Sequence, residues 1–114
     1  MSIIHNLTPH AIRIFDNERN CVHVFESEGV ARAKQISSPC FSINGIEVVR
    51  NTYSEVTDLP DYQKDVYYIV SVITYQAARA NGRTTDDLLL TDDAVRNEEG
   101  QIIGCKRFAV IQQY

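Results

Sequence analysis

The clearest pattern of apolar and polar positions lies in the second half of the chain, where a strand-like run passes directly into a helix-like one. Residues 66–70 are all apolar, β-branched or aromatic, which is typical of a buried strand. From Val72 onward the apolar residues take helical spacing, at Ile73, Ala77 and Ala80. Asn81-Gly82 is a helix C-terminal signal, so the sequence predicts a strand over 66–70 and a helix that begins at Val72 and ends at Asn81-Gly82.

Ser71 stands at the junction between this strand and this helix. Its hydroxyl can cap the first free N–H groups of the helix, where the positive end of the helix dipole attracts anions, phosphate above all. The alternative is that Ser71 only caps a core helix. Residues 88–90 form a short apolar run, and a right-handed crossover would place them parallel to 66–70. Ligands gather at the carboxyl ends of parallel strands, so we expect Ser71 and Thr91-Asp92 to share that edge.

The rest of the chain shows short strand patterns separated by turns. Alternating or apolar runs predict strands over 10–15, 21–25, 30–36, 41–43, 46–50 and 101–111, of which 30–36 also fits a helix. In the first of these, Arg13 and Phe15 share one face. We expect Ser37-Ser38-Pro39 to end the third, whereas Asn44-Gly45 is the strongest two-residue hairpin signal in the chain. The predicted fold class is α+β: one small domain over 1–114 with a mixed, mainly antiparallel sheet of six to seven strands and one principal helix.

The amino-acid composition limits the classes of protein to which this chain can belong. A chain of 114 residues with 44% hydrophobic content is long enough for the core of one domain. Its three cysteines show no Cys-x-x-Cys spacing, which indicates free thiols in a reducing cytosol. The first residues lack a basic start and a long apolar stretch, so we expect a cytoplasmic protein without a membrane segment. The net charge of −4 argues against DNA or RNA as a general partner.

Charge is unevenly distributed along the second half of the chain. Residues 84–99 hold six acidic residues and one arginine, whereas 100–114 hold Lys106, Arg107 and no acidic residue. Lys106 and Arg107 are adjacent in a predicted strand and therefore point to opposite faces. We favour Arg107 as the anion-binding residue, because a guanidinium grips phosphate oxygens with two parallel hydrogen bonds. The alternative is that Arg107 is a solvated residue at the edge of the sheet.

Three further side chains are candidates for the same pocket. Thr91-Asp92-Asp93 is expected to form an acidic loop, and Arg96 is expected in a loop after it. There Arg96 either contacts the ligand or pairs with Asp92 or Asp93 on the surface. Tyr75 and Phe108 offer rings on which a nucleobase can stack, although most aromatic residues of a small domain belong to its core. The candidate ligand-binding residues are therefore Arg107, Ser71, Arg96, Thr91, Asp92, Tyr75 and Phe108.

No catalytic or metal-binding pattern accompanies these residues. The three histidines lie in the first quarter of the chain without metal-ligand spacing, and the Asp86-Asp87 and Asp92-Asp93 pairs lack the ordered spacing of a Mg²⁺ site. No serine or cysteine stands in a recognisable nucleophile motif. We therefore expect no metal, no cofactor and no enzymatic activity. The alternative is a metal-dependent hydrolase of cyclic nucleotides that uses these aspartates.

Four segments, in this order, give the chain a resemblance to a known group of proteins. They are residues 6–10 (NLTPH), 56–60 (VTDLP), 68–71 (YIVS) and 95–105 (VRNEEGQIIGC). With these segments the chain resembles, over nearly its whole length, the phage Thoeris anti-defence sponge proteins of the first type. Those proteins bind the glycocyclic ADP-ribose messenger made by TIR-domain defence enzymes and withhold it from its effector without degrading it.

The resemblance implies a ligand, a site and an assembly for this chain. It implies a non-catalytic protein of the infected bacterial cytoplasm that sequesters a cyclic ADP-ribose-type nucleotide, with cyclic oligonucleotides as a further ligand class. It also implies a homo-oligomer, either a dimer or an assembly of dimers, with pockets at subunit contacts. The family's pocket arginine corresponds to Arg107, whereas its amide falls near Thr91-Asp92, where this chain has no asparagine. The remaining alternative is a structural or interaction phage protein with no small ligand.

Overall fold

Eight strands and one helix make up the regular structure of residues 2–111, the part of the chain that the computed structural model describes. The strands are β1 (Ile3–Asn6), β2 (Ile12–Phe15), β3 (Cys21–Phe25), β4 (Arg32–Ile43), β5 (Ile46–Thr57), β6 (Val66–Ile69), β7 (Leu88–Arg96) and β8 (Ile102–Ala109), and the helix is α1 (Val72–Ala80). None of the helical structure in this part of the chain is long and apolar enough to cross a membrane.

Six of the strands form one mixed sheet in the order β1-β6-β7-β8-β2-β3. The pairs β1–β6, β6–β7 and β2–β8 are parallel, whereas β7–β8 and β2–β3 are antiparallel. The α+β fold class, with a mixed sheet and one helix, is confirmed, and so is the hairpin of β2 and β3. The sequence pattern does not predict β1, because its four residues are too few to show a period and become a strand by pairing with β6.

The predicted unit of strand, helix and parallel strand is confirmed. β6 and β7 run parallel, with Tyr68 opposite Leu88. Ser71 is the N-cap of α1, and its hydroxyl accepts a hydrogen bond from the N–H of Thr74 at 3.2 Å. After the helix, Gly82 takes a left-handed φ of 82°, which is typical of the residue that follows a helix end.

The buried face of α1 differs from the predicted one. Ile73 is 48% exposed and Ala80 is also exposed, so the expected apolar stripe is wrong at two of its three positions. The reason is that Thr74 faces the core, where its hydroxyl donates to the carbonyl oxygen of Ala31 at 3.0 Å and is thereby satisfied. The buried residues of the helix are Thr74, Tyr75, Ala77 and Ala78. Tyr75 and Ala78 belong to one core cluster with Leu7, Ala31, Val66, Tyr68, Val70, Leu88 and Leu90.

β7 continues well beyond the predicted strand over 88–90. Thr91-Asp92-Asp93, expected as a loop, belongs to the strand, and Arg96, also expected in a loop, is its last residue. The acidic residues stay in the strand because β7 pairs with β8 over this stretch, with Asp92 opposite Arg107. Asp93 takes a left-handed φ of 59°, a conformation that aspartate tolerates better than most residues.

β4 and β5 form a separate two-stranded sheet, residues 32–57, which is termed the arm below. The predicted Asn44-Gly45 turn joins the two strands, with φ values of 51° and 79°. The expectation that Ser37-Ser38-Pro39 ends a strand is wrong, because β4 runs through these residues with a register shift between Pro39 and Phe41. Proline is tolerated there because a two-stranded sheet consists only of edge strands.

Candidate functional site

A groove of about 830 Å³ lies on the six-stranded sheet, over β2, β7 and β8. It is lined by residues 10–13 and 15 from β2 and the segment before it, by 91–94 from β7, and by 102–105 from β8. Small-molecule sites in proteins usually measure about 300–1,000 Å³. The groove is therefore of a size suited to a small ligand.

Gly104 lets β2 and β8 approach closely at the floor of the groove. A Cβ atom on residue 104 would lie 2.5 Å from the carbonyl oxygen of Arg13 and 2.7 Å from Cδ2 of Phe15. The two strands are joined at this point by a parallel pairing of Ile14 with Cys105. A single glycine inside a strand pattern often marks such a close approach of two backbones.

The two strands on either side of β8 bring opposite charges to the groove. β2 contributes the guanidinium of Arg13, whereas β7 contributes the carboxylates of Asp92 and Asp93. Because β2 and β7 both neighbour β8, the backbones of β2 and β7 are about 10 Å apart. Phe15 and the two isoleucines of β8 add apolar surface to the lining. A largely apolar surface with a few charged groups is typical of sites that bind small polar ligands.

Arg107 lies beside the groove and is held by Asp92. Its Nε donates to Oδ2 of Asp92 at 2.6 Å, and the Arg107 side chain is 68% exposed. This hydrogen bond, together with the charges of Asp92 and Asp93, raises the pKa of Arg107 above its ordinary value. Within residues 2–111, neither Nη atom of Arg107 has a hydrogen-bond partner. Both are therefore available to an incoming anion.

Arg96 does not join this pair. Its Nη1 donates to the carbonyl oxygen of Gly100 at 2.7 Å, and its own carbonyl oxygen accepts from Nη2 of Arg19 at 2.8 Å. Arg96 thus holds the turn between β7 and β8 and is not among the residues that line the groove. Asp92, which the sequence left open as a partner of Arg96, pairs with Arg107 instead.

The other candidates are not among the residues that line the groove. Ser71 uses its hydroxyl to cap α1. Tyr75 is 1% exposed and its hydroxyl accepts from the N–H of Ile111 at 3.0 Å, so its ring belongs to the core and is not free to stack on a ligand, contrary to expectation. Phe108 packs against Phe25, with ring centroids 5.9 Å apart. The structure brings together three of the seven candidates, namely Thr91, Asp92 and Arg107.

Several lining residues were not predicted as site residues: His10, Arg13, Phe15, Asp93 and Gly104. Two sequence signals pointed towards them. The alternation of residues 10–15 places Arg13 and Phe15 on one face, and Gly104 stands alone inside a strand pattern. Neither signal connects β2 with β7 and β8, because these strands are far apart in the sequence and meet only in the folded sheet.

A second cavity, of about 530 Å³, lies beside the α1–β7 loop and is lined largely by residues 83–86. Both Nη atoms of Arg83 are engaged there, whereas its buried Nε has no hydrogen-bond partner within residues 2–111. Its Nη atoms donate to both carboxylate oxygens of Asp87 at 2.8 and 2.9 Å, and also to the carbonyl oxygens of Thr84 and Pro60 at 2.6 Å each. This guanidinium therefore acts as a structural link between two loops and has no free Nη edge for a ligand.

The described residues hold three free thiols. Cys21 and Cys40 are exposed, whereas Cys105 is buried and its pKa is raised by that burial. Within residues 2–111 there is no group of three or more histidine, cysteine, aspartate or glutamate side chains placed to hold a metal ion.

No similar protein adds information about the function of the groove. The resemblance to the sponge proteins rests on four short segments and remains a prediction. Comparison of the chain with protein-family models, with curated proteins and with solved structures finds no significant match.

Proposed function

We propose that this protein binds a cyclic ADP-ribose-type nucleotide in the groove and sequesters it unchanged. In this proposal it is a phage protein that blocks TIR-dependent (Thoeris) antiviral defence in the cytoplasm of the infected bacterium. The observation that carries the proposal is the Arg107–Asp92 pair beside a groove of ligand size. The resemblance supports the same ligand class, because Arg107 corresponds to the pocket arginine of the sponge proteins.

The pyrophosphate and the riboses of such a nucleotide have matching groups at the groove. The pyrophosphate can accept charge-assisted hydrogen bonds from the two free Nη atoms of Arg107. Ribose hydroxyls can donate to the carboxylates of Asp92 and Asp93, and the hydroxyl of Thr91 can serve as a further donor.

Asp92 supports this arrangement by fixing Arg107 before the ligand arrives. With Nε bound to the carboxylate, the guanidinium loses part of its rotational freedom while both Nη atoms stay free. A side chain that is already ordered loses less entropy on binding. We therefore assign Asp92 a positioning role in addition to its place in the lining.

We further propose that the protein is a homo-oligomer, a dimer or an assembly of dimers, in which the arm contacts a second copy. The arm carries five large apolar side chains that are 44–67% exposed: Ile36, Phe41, Ile43, Ile46 and Val49. A two-stranded sheet is at best marginally stable alone in water. Exposed apolar surface of this kind is typical of protein–protein contacts.

The charges favour the rest of a second copy as the partner of the arm. Residues 32–57 hold three basic and two acidic residues, a charge of +1, which leaves −5 for the remainder of a chain whose net charge is −4. Opposite charges on the two surfaces favour their encounter. A second copy therefore supplies a charge complement to the arm.

The test of sequestration is the fate of the nucleotide. The purified protein is incubated with cyclic ADP-ribose and then heat-denatured, and the released small molecules are identified by mass spectrometry. We expect the nucleotide to be recovered intact. A degradation product would contradict the proposal and favour the metal-dependent hydrolase.

The ligand class is tested by thermal unfolding with cyclic ADP-ribose, its glycocyclic isomers and a cyclic oligonucleotide. A ligand at 100 times its Kd should add about 2.7 kcal/mol to the free energy of unfolding. No stabilisation with any of these compounds would contradict the proposal and favour a structural or interaction protein without a small ligand.

The assembly is tested by analytical ultracentrifugation of the F41S/I43S double variant. Phe41 and Ile43 are 55% and 52% exposed, so the fold should tolerate both changes. Ser42→Thr is the matched control, because Ser42 points to the opposite face of β4 and the change keeps the charge of the arm. We expect the parent chain and the control to sediment as dimers or larger assemblies and the double variant as a monomer. A parent chain that is monomeric at all concentrations would refute the assembly.

A further inference from the structure

β3 forms one edge of the six-stranded sheet, and the outer side of this edge is open. β2 is the partner of β3 on the inner side, and within residues 2–111 no further strand pairs with β3. One end of the edge is closed, because Nδ2 of Asn6 donates to the carbonyl oxygen of Phe25 at 2.8 Å and Ser27 forms an isolated bridge with Asn6. Residues 21–24, before this closed end, are all exposed.

The sequence of β3 has none of the features that usually protect an edge strand. Natural edge strands avoid unwanted pairing with charged side chains, lysine above all, or with proline. β3 reads Cys-Val-His-Val-Phe, without Asp, Glu, Lys, Arg or Pro, and Val22 and Val24 are 51% and 49% exposed. β-Branched and aromatic residues favour pairing of strands. An edge of this composition is suited to accept a further strand through main-chain hydrogen bonds.

The charge around β3 indicates which kind of strand fits this edge. Residues 16–29, which include β3, the turn before it and the loop after it, hold four acidic residues and one arginine, a charge of −3. β4 holds Arg32 and Lys34 and no acidic residue, a charge of +2. Both cations are exposed, and neither makes an ion pair within residues 2–111. Opposite charges favour the encounter of β4 with β3.

The other free edges of the molecule fit β3 less well. A second β3 would bring two surfaces of charge −3 together, and β5 holds two glutamates and one arginine, a charge of −1. β4 pairs with β5 alone, so its outer edge is also open. β4 has twelve residues and β3 has five, so β4 can cover the whole edge of β3. Because β3 and β4 of one chain belong to separate sheets, the added strand comes from a second chain.

We propose that β3 is the docking edge for a second copy of this chain, whose β4 adds to the six-stranded sheet as a further strand. This inference rests on the homo-oligomer proposed above and names the surface that receives the arm. It is independent of the nucleotide, since neither β3 nor β4 contributes a residue to the lining of the groove.

Two exposed cysteines of the chain itself allow a direct test, because Cys21 lies on β3 and Cys40 on β4. Cys40→Ser and Cys21→Ser chains are mixed, left to exchange subunits and treated with a short bismaleimide, and mass spectrometry of peptides identifies the joined residues. We expect a covalent dimer of the two variants in which Cys21 of one copy is joined to Cys40 of the other. Such a link can form only between copies.

The second arm of the test is Val22→Lys, which gives β3 a protecting residue of the same charge sign as β4. Val22 is half exposed, so the fold should tolerate the change, and thermal unfolding checks this. We expect Val22→Lys to raise the dissociation constant of the assembly at least about tenfold in analytical ultracentrifugation and to abolish the Cys21–Cys40 link. Val22→Thr is the matched control, which should change the constant less than about threefold because it keeps a β-branched, uncharged residue.

The outcomes separate this inference from the proposed assembly. If the parent chain assembles but the Cys21–Cys40 link does not form, or if Val22→Lys assembles as the parent does, the docking edge is overturned while the homo-oligomer stands. A Cys21–Cys21 link in the Cys40→Ser chain would also overturn it, in favour of β3–β3 pairing. A parent chain that is monomeric at all concentrations would overturn the assembly and the docking edge together.

Discussion

Phe15 lies directly over Gly104, and this contact joins two of the strands that line the groove. A side chain on residue 104 would collide with the Phe15 ring and, at 2.5 Å, with the carbonyl oxygen of Arg13. β2 and β8 are held together by a single residue pair, Ile14 with Cys105. The missing side chain therefore both permits the contact between the strands and shapes the floor of the groove.

We predict that Gly104→Ala destabilises the protein by about 2–3 kcal/mol, because β2 must shift away from β8 to make room for the methyl group. Urea denaturation measures the change. Part of the loss should be relieved when the ring is also removed, so Phe15→Ala should cost less in the Gly104→Ala background than in the parent chain. A Gly104→Ala variant as stable as the parent would show that the strands are not in close contact.

Arg83 and Asp87 support a second prediction, on stability alone. Asp87 is 1% exposed and both of its carboxylate oxygens accept from Arg83. Arg83→Met would leave a buried carboxylate without its counter-charge, which typically costs about 3–5 kcal/mol. Arg79→Met, an exposed change in the same region, should alter the free energy of unfolding by less than about 0.5 kcal/mol. Chemical denaturation of both variants checks this, and equal effects would mean that the ion pair does not hold the loop.

Arg107 and Lys106 provide a matched pair for the binding site. Arg107→Ala should weaken cyclic ADP-ribose binding about 10- to 100-fold, because it removes a charge-assisted contact. Lys106→Ala should have a much smaller effect, since Lys106 points to the other face of β8 and its Nζ lies 3.4 Å from Oδ1 of Asn17. Calorimetry measures the affinity of both variants for cyclic ADP-ribose. Equal losses would argue against the assignment of Arg107 to the ligand.

The parts of the fold that the sequence predicted have strong local signals. The 66–70 run, the cap at Ser71 and the stop at Asn81-Gly82 together specify β6 and α1, and Asn44-Gly45 specifies the turn of the arm. Each of these signals acts over a few neighbouring residues. Their agreement with the structure shows that local chemistry determines these elements.

The wrong predictions concern residues whose structure depends on pairing or packing with residues far away in the sequence. Arg96 was expected in a loop because acidic residues precede it, but pairing with β8 extends β7 to this residue. Tyr75 was expected near a ligand, but its packing against β6 and β7 buries the ring. The groove was only partly predictable for the same reason, since β2, β8 and β7 become neighbours through the order of strands and not through any spacing in the chain.

Cys105 gives a prediction that depends on pH. Burial raises the pKa of its thiol above the ordinary 9.0, whereas Cys21 and Cys40 are exposed. Because the thiolate is the reactive form, an aromatic disulfide reagent at pH 8 should modify two thiols quickly and the third only after unfolding. Cys105→Ser should remove the slow reaction and leave the fast one unchanged.

The same raised pKa determines the direction in which stability changes with pH. The folded chain holds the Cys105 proton more tightly than the unfolded chain does, so this contribution is complete below the unfolded pKa. It is lost as the pH rises through the folded pKa. The free energy of unfolding should therefore fall more steeply above about pH 9 in the parent chain than in Cys105→Ser. Three thiols that react at one rate, or identical pH profiles for the two proteins, would show that Cys105 is not shielded from water.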